Sequence, residues 1–365
     1  MILRGCDVLG NVSISNSFNA LLLLFLSRFF CYQRSNIAPT IRPNPSTYRY
    51  QPATMTEQHQ HHFADRLNHA IRQKQTPLIV GLDPRANQLP DALAVDNPND
   101  LEALSQAYAK FSCEIIDVVA DLVPAVKPQA AFFEQAGPHG MFALAQVVDH
   151  AKAAGLIVVM DAKRGDIGST ATAYAQAYLG AKPISPWGCD ALTVNPYLGD
   201  DSLTPFVDAA NITGSGIFVL AKTSNPGSKT IQEQRVGERT VFSIVAEQIE
   251  LLSAANVGQS GYGNVGAVVG ATYPEQLSEL REKMPTSIFL IPGFGAQGGT
   301  AHDVAGGLDE NGLGGTINSS RGIIFAYETD AYRGASTWQA AVELATQDAI
   351  ARIADGTTAS RLQTT

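Results

Sequence analysis

Gly155-Leu156-Ile157-Val158-Val159-Met160-Asp161-Ala162-Lys163-Arg164-Gly165-Asp166-Ile167-Gly168 is the stretch on which the reading of this chain turns. Its first half is unbroken apolar sequence of strand length, as expected of a strand buried on both faces. Its second half sets two carboxylates and an ammonium where that strand ends. Asp161 and Lys163 are two apart and share one side of a continuing strand, with Asp166 just beyond. Charges so placed are costly to desolvate unless they pair or carry chemistry, so function is sought here first.

Outward from this strand the same unit repeats. Pro77–Asp83 reads as the first strand, Ala125–Pro128 as the second, and the Asp161 strand is the third. Ala191–Pro196, Gly216–Ala221, Gly266–Gly270, Ile288–Pro292 and Gly315–Ser319 follow as the fourth to eighth. Between them the spacing predicts helices over Leu101–Leu122, Met141–Ala154, Ser169–Leu179 and Val236–Ala254, another opening at Pro274-Glu275, and a last one over Thr337–Ile353. Eight apolar strands alternating with helices over about 300 residues predict an α/β fold of the closed, all-parallel (β/α)8 TIM barrel type. No Gly-x-Gly-x-x-Gly follows the first strand, which argues against a dinucleotide fold. The polar tail after Asp355 is expected to fray.

The chain has 365 residues, 45% hydrophobic and 16% charged, with a net charge of −9 and no basic block. That suits a globular protein with a large core and argues against a nucleic-acid surface, while leaving room for a local cationic pocket for a small phosphorylated ligand. Cys6, Cys31, Cys113 and Cys189 form no C-x-x-C pair, so reduced thiols and a cytoplasmic location are expected. Residues 1–54 differ from the rest. The apolar run Ala20–Leu26 is too short to span a bilayer, so no membrane association is expected, and it lacks the basic flank of a signal peptide. A Ser/Asn/Pro-rich stretch leads to Met55, read here as the start of the protein proper, with 1–54 a mis-assigned extension and 55–365 the barrel. His59, His61 and His62 are read as a solvated polar terminus rather than metal ligands. Cys113, Trp187 and Cys189 are read as packing residues, and Lys229–Arg239 as a loop, a solvated helix start or a lid.

Polar residues gather where the strands end. Asp83 ends the first, Lys127 the second, Asp161 and Lys163 the third and Asn195 the fourth; Ser224 follows the fifth. Gly293-Phe294-Gly295-Ala296-Gln297-Gly298-Gly299 follows the seventh and Ser319-Ser320-Arg321-Gly322 the eighth. Any one of these is as readily a rim polar group, but the set marks the C-terminal mouth of a barrel, where active sites of this fold lie. Backbone N–H groups of the glycine loop beside Arg321 are the usual ingredients of a barrel phosphate site.

The run Asp161-Ala-Lys163-Arg-Gly-Asp166-Ile-Gly-Ser-Thr170 resembles the D-x-K-x-x-D signature of the orotidine 5′-phosphate decarboxylases, in their bacterial, longer-chain branch. Asp83, Lys127, the Pro292–Gly299 loop and Arg321 agree in order, and the resemblance covers Thr76 to Tyr327. It implies conversion of orotidine monophosphate to UMP and CO2, the last step of UMP synthesis, with no metal and no organic cofactor. It also implies a homodimer in which Asp166 and Thr170 reach into the neighbour's site. Under this resemblance Lys163 protonates C6, Asp161 lies beside the departing carboxylate, and Lys127 and Asp166 complete the charge network. Asp83 and Lys127 meet the ribose, Gln297, Gly298 and Arg321 hold the phosphate, and Asn195 and Ser224 face the pyrimidine. Two other readings stand beside it: a sugar-phosphate decarboxylase or aldolase of the same superfamily, using Mg²⁺, and a nucleotide-binding barrel without chemistry. The first needs a further acid near the second strand end, where Lys127 stands; the second leaves the costly charge cluster without a role.

Overall fold

The computed structural model describes residues 62–295 and 299–363. The readings made on residues 1–54, on Met55, Cys6, Cys31, His59 and His61, and on Gln297 and Gly298 therefore lie outside the described residues.

Eight parallel strands close into a barrel: β1 (Leu78–Leu82), β2 (Ala125–Pro128), β3 (Ile157–Arg164), β4 (Ala191–Val194), β5 (Gly216–Lys222), β8 (Val265–Val269), β9 (Phe289–Pro292) and β10 (Gly315–Ser319). β1 closes the ring by pairing with β10, Leu78 opposite Ile317 and Val80 opposite Ser319. The short pair β6 (Arg235–Val236) and β7 (Arg239–Thr240) lies outside the ring. The barrel strands are buried along most of their length because the ring is filled on the inside and covered by helices outside. The main covering helices are α2 (Leu101–Val119), α4 (Gly137–Ala153), α5 (Gly168–Tyr178), α6 (Thr204–Thr213), α7 (Val241–Ala254), α8 (Pro274–Lys283) and α11 (Trp338–Gly356). Short turns α3 (Ala130–Glu134), α9 (Ala301–Ala305) and α10 (Arg321–Ile324) follow β2, β9 and β10. Among the described residues no helix is long and apolar enough to cross a membrane.

Sequence periodicity places nearly all the barrel strands within a residue or two; helix α6 was not expected, α4 begins at Gly137 rather than Met141, and three further regions differ. The first is helix α1 (Phe63–Lys74), ahead of the first expected element. Phe63, Leu67 and Ile71 recur at helical spacing and are buried at the end of the barrel where the strands begin. The Phe63 ring meets Phe218 edge to face at 5.8 Å. A Cβ on Gly216 would lie 2.1 Å from that ring, so glycine at the start of β5 makes room for the plug. His62 is accordingly buried, its Nε2 3.1 Å from the Asn256 carbonyl, which corrects its reading as part of a solvated terminus.

The second difference is α7, which begins at Val241 instead of Val236. Gly237, at φ +64°, turns the β6–β7 hairpin, and Thr240 caps the helix by accepting from Ser243 N at 3.2 Å. The loop from β5 to this hairpin is pinned rather than loose: Gln232 exchanges two hydrogen bonds with Thr223, and Lys222 pairs with Glu233 at 3.3 Å. The third is the tail. Thr358–Gln363 is a 3-10 helix that buries Ala359 and Leu362, three apart and so on one face, which corrects the expectation of fraying. Trp187 stacks on Tyr178, and Cys189 is buried, as packing residues do.

Candidate active site

The site begins with a distortion of β3. Met160 pairs with Leu192 and Arg164 with Val194, so β3 spends two more residues than β4 over the same distance. Lys163 takes a left-handed backbone, φ +48°, within this bulge. A non-glycine residue held there costs about 1–3 kcal/mol and persists only where its surroundings enforce it. The bulge sends Arg164 outward to Glu134 and to Tyr178 Oη at 3.1 Å, while Lys163 Nζ returns to Asp161 Oδ1 at 2.6 Å. The two residues thus meet as their spacing predicts, but through the bulge rather than by simple alternation.

Asp161 is saturated with donors. Lys127 Nζ, at the end of β2, donates to Oδ2 at 2.7 Å, and Gln129 Nε2 to the same oxygen at 3.0 Å. Lys163 Nζ and Thr193 Oγ1, at 2.9 Å, donate to Oδ1. Burial alone would push the Asp161 carboxyl up, but the ammonium of Lys127 and then that of Lys163 outweigh it and hold the group well below the usual carboxylate range. Burial likewise disfavours the Lys127 ammonium, and the charges of Asp161 and Asp83 reverse the effect, raising its pKa.

Two adjoining cavities share Lys127, Asp161 and Pro292. One, of about 170 Å³, is walled by Asp83, Gln129, Phe294, Asn318, Ser320 and Arg321. Asp83 Oδ1 and Asn318 Oδ1 are buried there with no hydrogen-bond partner among the described residues, a costly state that a ligand's hydroxyls would relieve. The other, of about 360 Å³, is bounded by the apolar Leu220, Val268 and Leu290 and by Lys163, Thr223 and Ser224. A polar chamber lined by an arginine, beside a larger and more apolar one, suits a phosphorylated sugar joined to an aromatic ring. Among the described residues no three His, Cys, Asp or Glu side chains converge as a cation site.

The structure brings together Asp83, Lys127, Asp161, Lys163, Ser224 and Arg321 of the expected residues. It does not bring in Asn195, whose exposed Oδ1 accepts from Tyr197 N at 3.0 Å, nor Thr170, exposed on α5. Asp166 accepts from its neighbour Ile167 N at 2.8 Å and stands apart from Lys163 in this chain. Gln129, Thr193 and Asn318 were missed, and Ser320 was noted among the polar residues after the eighth strand but given no role. Gln129 lies two residues beyond Lys127, and that spacing is the signal that could have found it; Thr193 sits inside an apolar run that reads as core, and Asn318 among other small polar residues of β10.

Comparison with known proteins agrees with this geometry. The sequence profile of the Orotidine 5′-phosphate decarboxylase / HUMPS family matches residues 76–334. An orotidine 5′-phosphate decarboxylase of Rhodopirellula baltica is 56% identical over 291 residues, covering 78% of this chain and 96% of its own. The solved structure of Leishmania donovani OMP decarboxylase superposes with a TM-score of 0.63 at 34% identity, over 81% of this chain and 98% of that one. Leishmania donovani UMP synthase matches at 37% identity with a TM-score of 0.63, but this chain spans only 57% of its length. A barrel with this charge cluster at its mouth, matched along nearly the whole of such relatives, belongs to the orotidine 5′-phosphate decarboxylase / HUMPS family.

Proposed function

We propose that this chain decarboxylates orotidine 5′-monophosphate to UMP and CO2, completing UMP synthesis, with no metal or organic cofactor. The observation that carries the reading is Asp161 clamped between Lys127 and Lys163 where the cavity leading to Arg321 opens. As the bond from C6 to the carboxylate breaks, its electron pair stays on C6, where the ring stabilises it poorly, so fixed charge must do so. Lys163 Nζ supplies that charge and gives C6 its proton, then regains one from solvent. Asp161, kept ionised by its two ammonium partners, lies beside the substrate carboxylate, and their repulsion is relieved as CO2 leaves. Asp83 and Lys127 meet the ribose, Ser224 the pyrimidine end, and Arg321 with Gln297 and Gly298 the phosphate; Asn195, exposed and bonded to Tyr197 N, makes no substrate contact on this reading. The phosphate does not react, so its binding energy serves to hold the reacting end.

Asp166 and Thr170 act in the neighbouring site of a homodimer on this reading. What supports it is that neither lines the cavities of its own chain: Thr170 is exposed on α5 and Asp166 accepts from Ile167 N, whose own side chain is exposed and apolar. The unpaired thiols of Cys113 and Cys189 are in keeping with a cytoplasmic location.

The test is the loss of ultraviolet absorbance of orotidine monophosphate on adding purified protein, with and without EDTA. Rapid loss in both, absent in K163A, is expected. No loss with UMP still bound would leave a binding barrel, no loss and no UMP binding would favour the sugar-phosphate reading, and loss that EDTA abolishes would reject a metal-free reaction. Mixing inactive D166N and K163A proteins should restore activity if the site is shared between protomers, and a mixture that stays inactive would reject the sharing.

A further inference from the structure

Thr193 carries a buried hydroxyl in the apolar run Ala191-Leu192-Thr193-Val194, with 1% of its surface exposed. Two other buried hydroxyls end on main-chain carbonyls: Thr316 on Phe289 O at 3.2 Å, and Ser253, on α7, on Thr286 O at 2.9 Å. Thr193 instead donates to Asp161 Oδ1 at 2.9 Å and accepts from Lys163 N at 2.9 Å. A hydroxyl has one hydrogen and two lone pairs, so both bonds form together. Its position explains the pairing. Thr193 stands opposite the bulge, between the last regular pair Met160–Leu192 and the next, Arg164–Val194. The Lys163 N–H, displaced from the ladder there, finds its acceptor in a side chain.

We infer that Thr193 is a positioning residue for the reaction: one hydroxyl holds the Lys163 backbone in its left-handed conformation and fixes the Asp161 carboxylate that orients Lys163 Nζ. Thr193 borders the larger cavity but carries no charge, its one hydrogen is given to Asp161, and it acts on the reaction through those two residues. The inference rests on the decarboxylase reading, and it has a consequence that reading lacks. Without the hydroxyl, Lys163 is free to relax toward negative φ, its ammonium and Asp161 lose their common register, and an error of about 1 Å at a reacting group costs on the order of 100-fold.

The experiment compares T193V, which keeps the shape and removes the hydroxyl, with T193S, which keeps the hydroxyl; T193A repeats the deletion should valine not be accommodated. In T193V, kcat should fall about 10- to 100-fold while KM for orotidine monophosphate and the affinity for UMP stay within about threefold. T193S should recover kcat to within about threefold of the unsubstituted protein. A deletion variant that keeps its kcat, or one that loses affinity as much as rate, overturns the inference, as does T193S no better than T193V. Hydrogen exchange of the peptide covering residues 160–166 separates this from failure of the reading beneath it. Faster exchange in T193V is expected even if orotidine monophosphate is not the substrate, and unchanged exchange overturns the anchoring of Lys163.

Discussion

Asp161 and Asp190 lie at opposite ends of the barrel, both buried and each met by two cations. Asp190, just ahead of β4, receives Arg66 Nη1 at 2.6 Å, Lys152 Nζ at 2.8 and 2.7 Å, and the main-chain Val158 N at 2.8 Å. By charge alone the two clusters are indistinguishable. The difference is in what surrounds them. Arg66 comes from α1, which plugs its end of the barrel with Phe63, and Asp190 ties helix, strand and plug together through a backbone donor. Asp161 is held by side chains only, at a bulge, with cavity on two sides and the unmet acceptors of Asp83 and Asn318 nearby. A buried ion cluster is thus no mark of function in itself. Unmet polar groups beside an open wall, and a strained residue holding a cation, are what separate a working cluster from a structural one.

The sharpest way to break this comparison is to delete one lysine from each end. K163A should lose at least about 10³-fold in turnover while still binding UMP, because both proton delivery and charge stabilisation go with it. K152A should keep the kcat of the folded enzyme. Assays of orotidine monophosphate loss on both variants decide it, and near-normal turnover in K163A would make the two ends equivalent. Next in size is D190A, expected to cost about 2–4 kcal/mol of unfolding free energy in urea. That is the lower part of the range for breaking a buried pair, because Arg66 and Lys152 each keep about a third of their surface in water. Its kcat per folded molecule should be unchanged; a large drop in kcat would give the closed end a catalytic role.

The two ends were not equally legible in the sequence. The strands of the ring were readable because each is a short apolar run bounded by turns, and parallel strands buried on both faces have no other pattern. The mouth was readable where a charged residue interrupts such a run, as at Asp161, Lys163 and Lys127. Thr193 escaped because a lone hydroxyl inside an apolar strand is as often core as site, and only the β3–β4 register shows that it faces a bulge; Asn318 escaped because it stands among Thr316, Ser319 and Ser320, where nothing singles out one polar residue. Helix α1 escaped because its apolar stripe is diluted by the polar residues that face away from the plug, and Asp190 because its partners come from residues more than thirty positions away.

A third prediction sharpens the contrast along the mouth itself. Arg321 lines the polar cavity from the start of α10, away from the Asp161 cluster. R321A should weaken UMP binding about 10- to 100-fold, the worth of a charge-assisted bond to phosphate, while leaving uridine binding unchanged. Calorimetry with the two ligands measures it, and equal losses for both would mean that Arg321 supports the cavity rather than the phosphate.

The smallest expected effect is in pH. The Asp161 carboxyl is held below its ordinary value, so its contribution to stability is complete above the unfolded value of about 3.9 and disappears only as pH falls below it. The Lys127 ammonium is raised above its ordinary value, so its contribution is complete below about 10.4 and disappears only as pH rises beyond. Between these limits neither group changes protonation on unfolding. The difference in urea unfolding free energy between the unsubstituted protein and K127M should therefore agree within about 0.5 kcal/mol at pH 5.5 and pH 8.5. A change above about 1.4 kcal/mol, one pKa unit's worth, would mean that the pair titrates inside that window. The Asp161–Lys127 pair would then not be the permanently charged frame against which Lys163 delivers its proton.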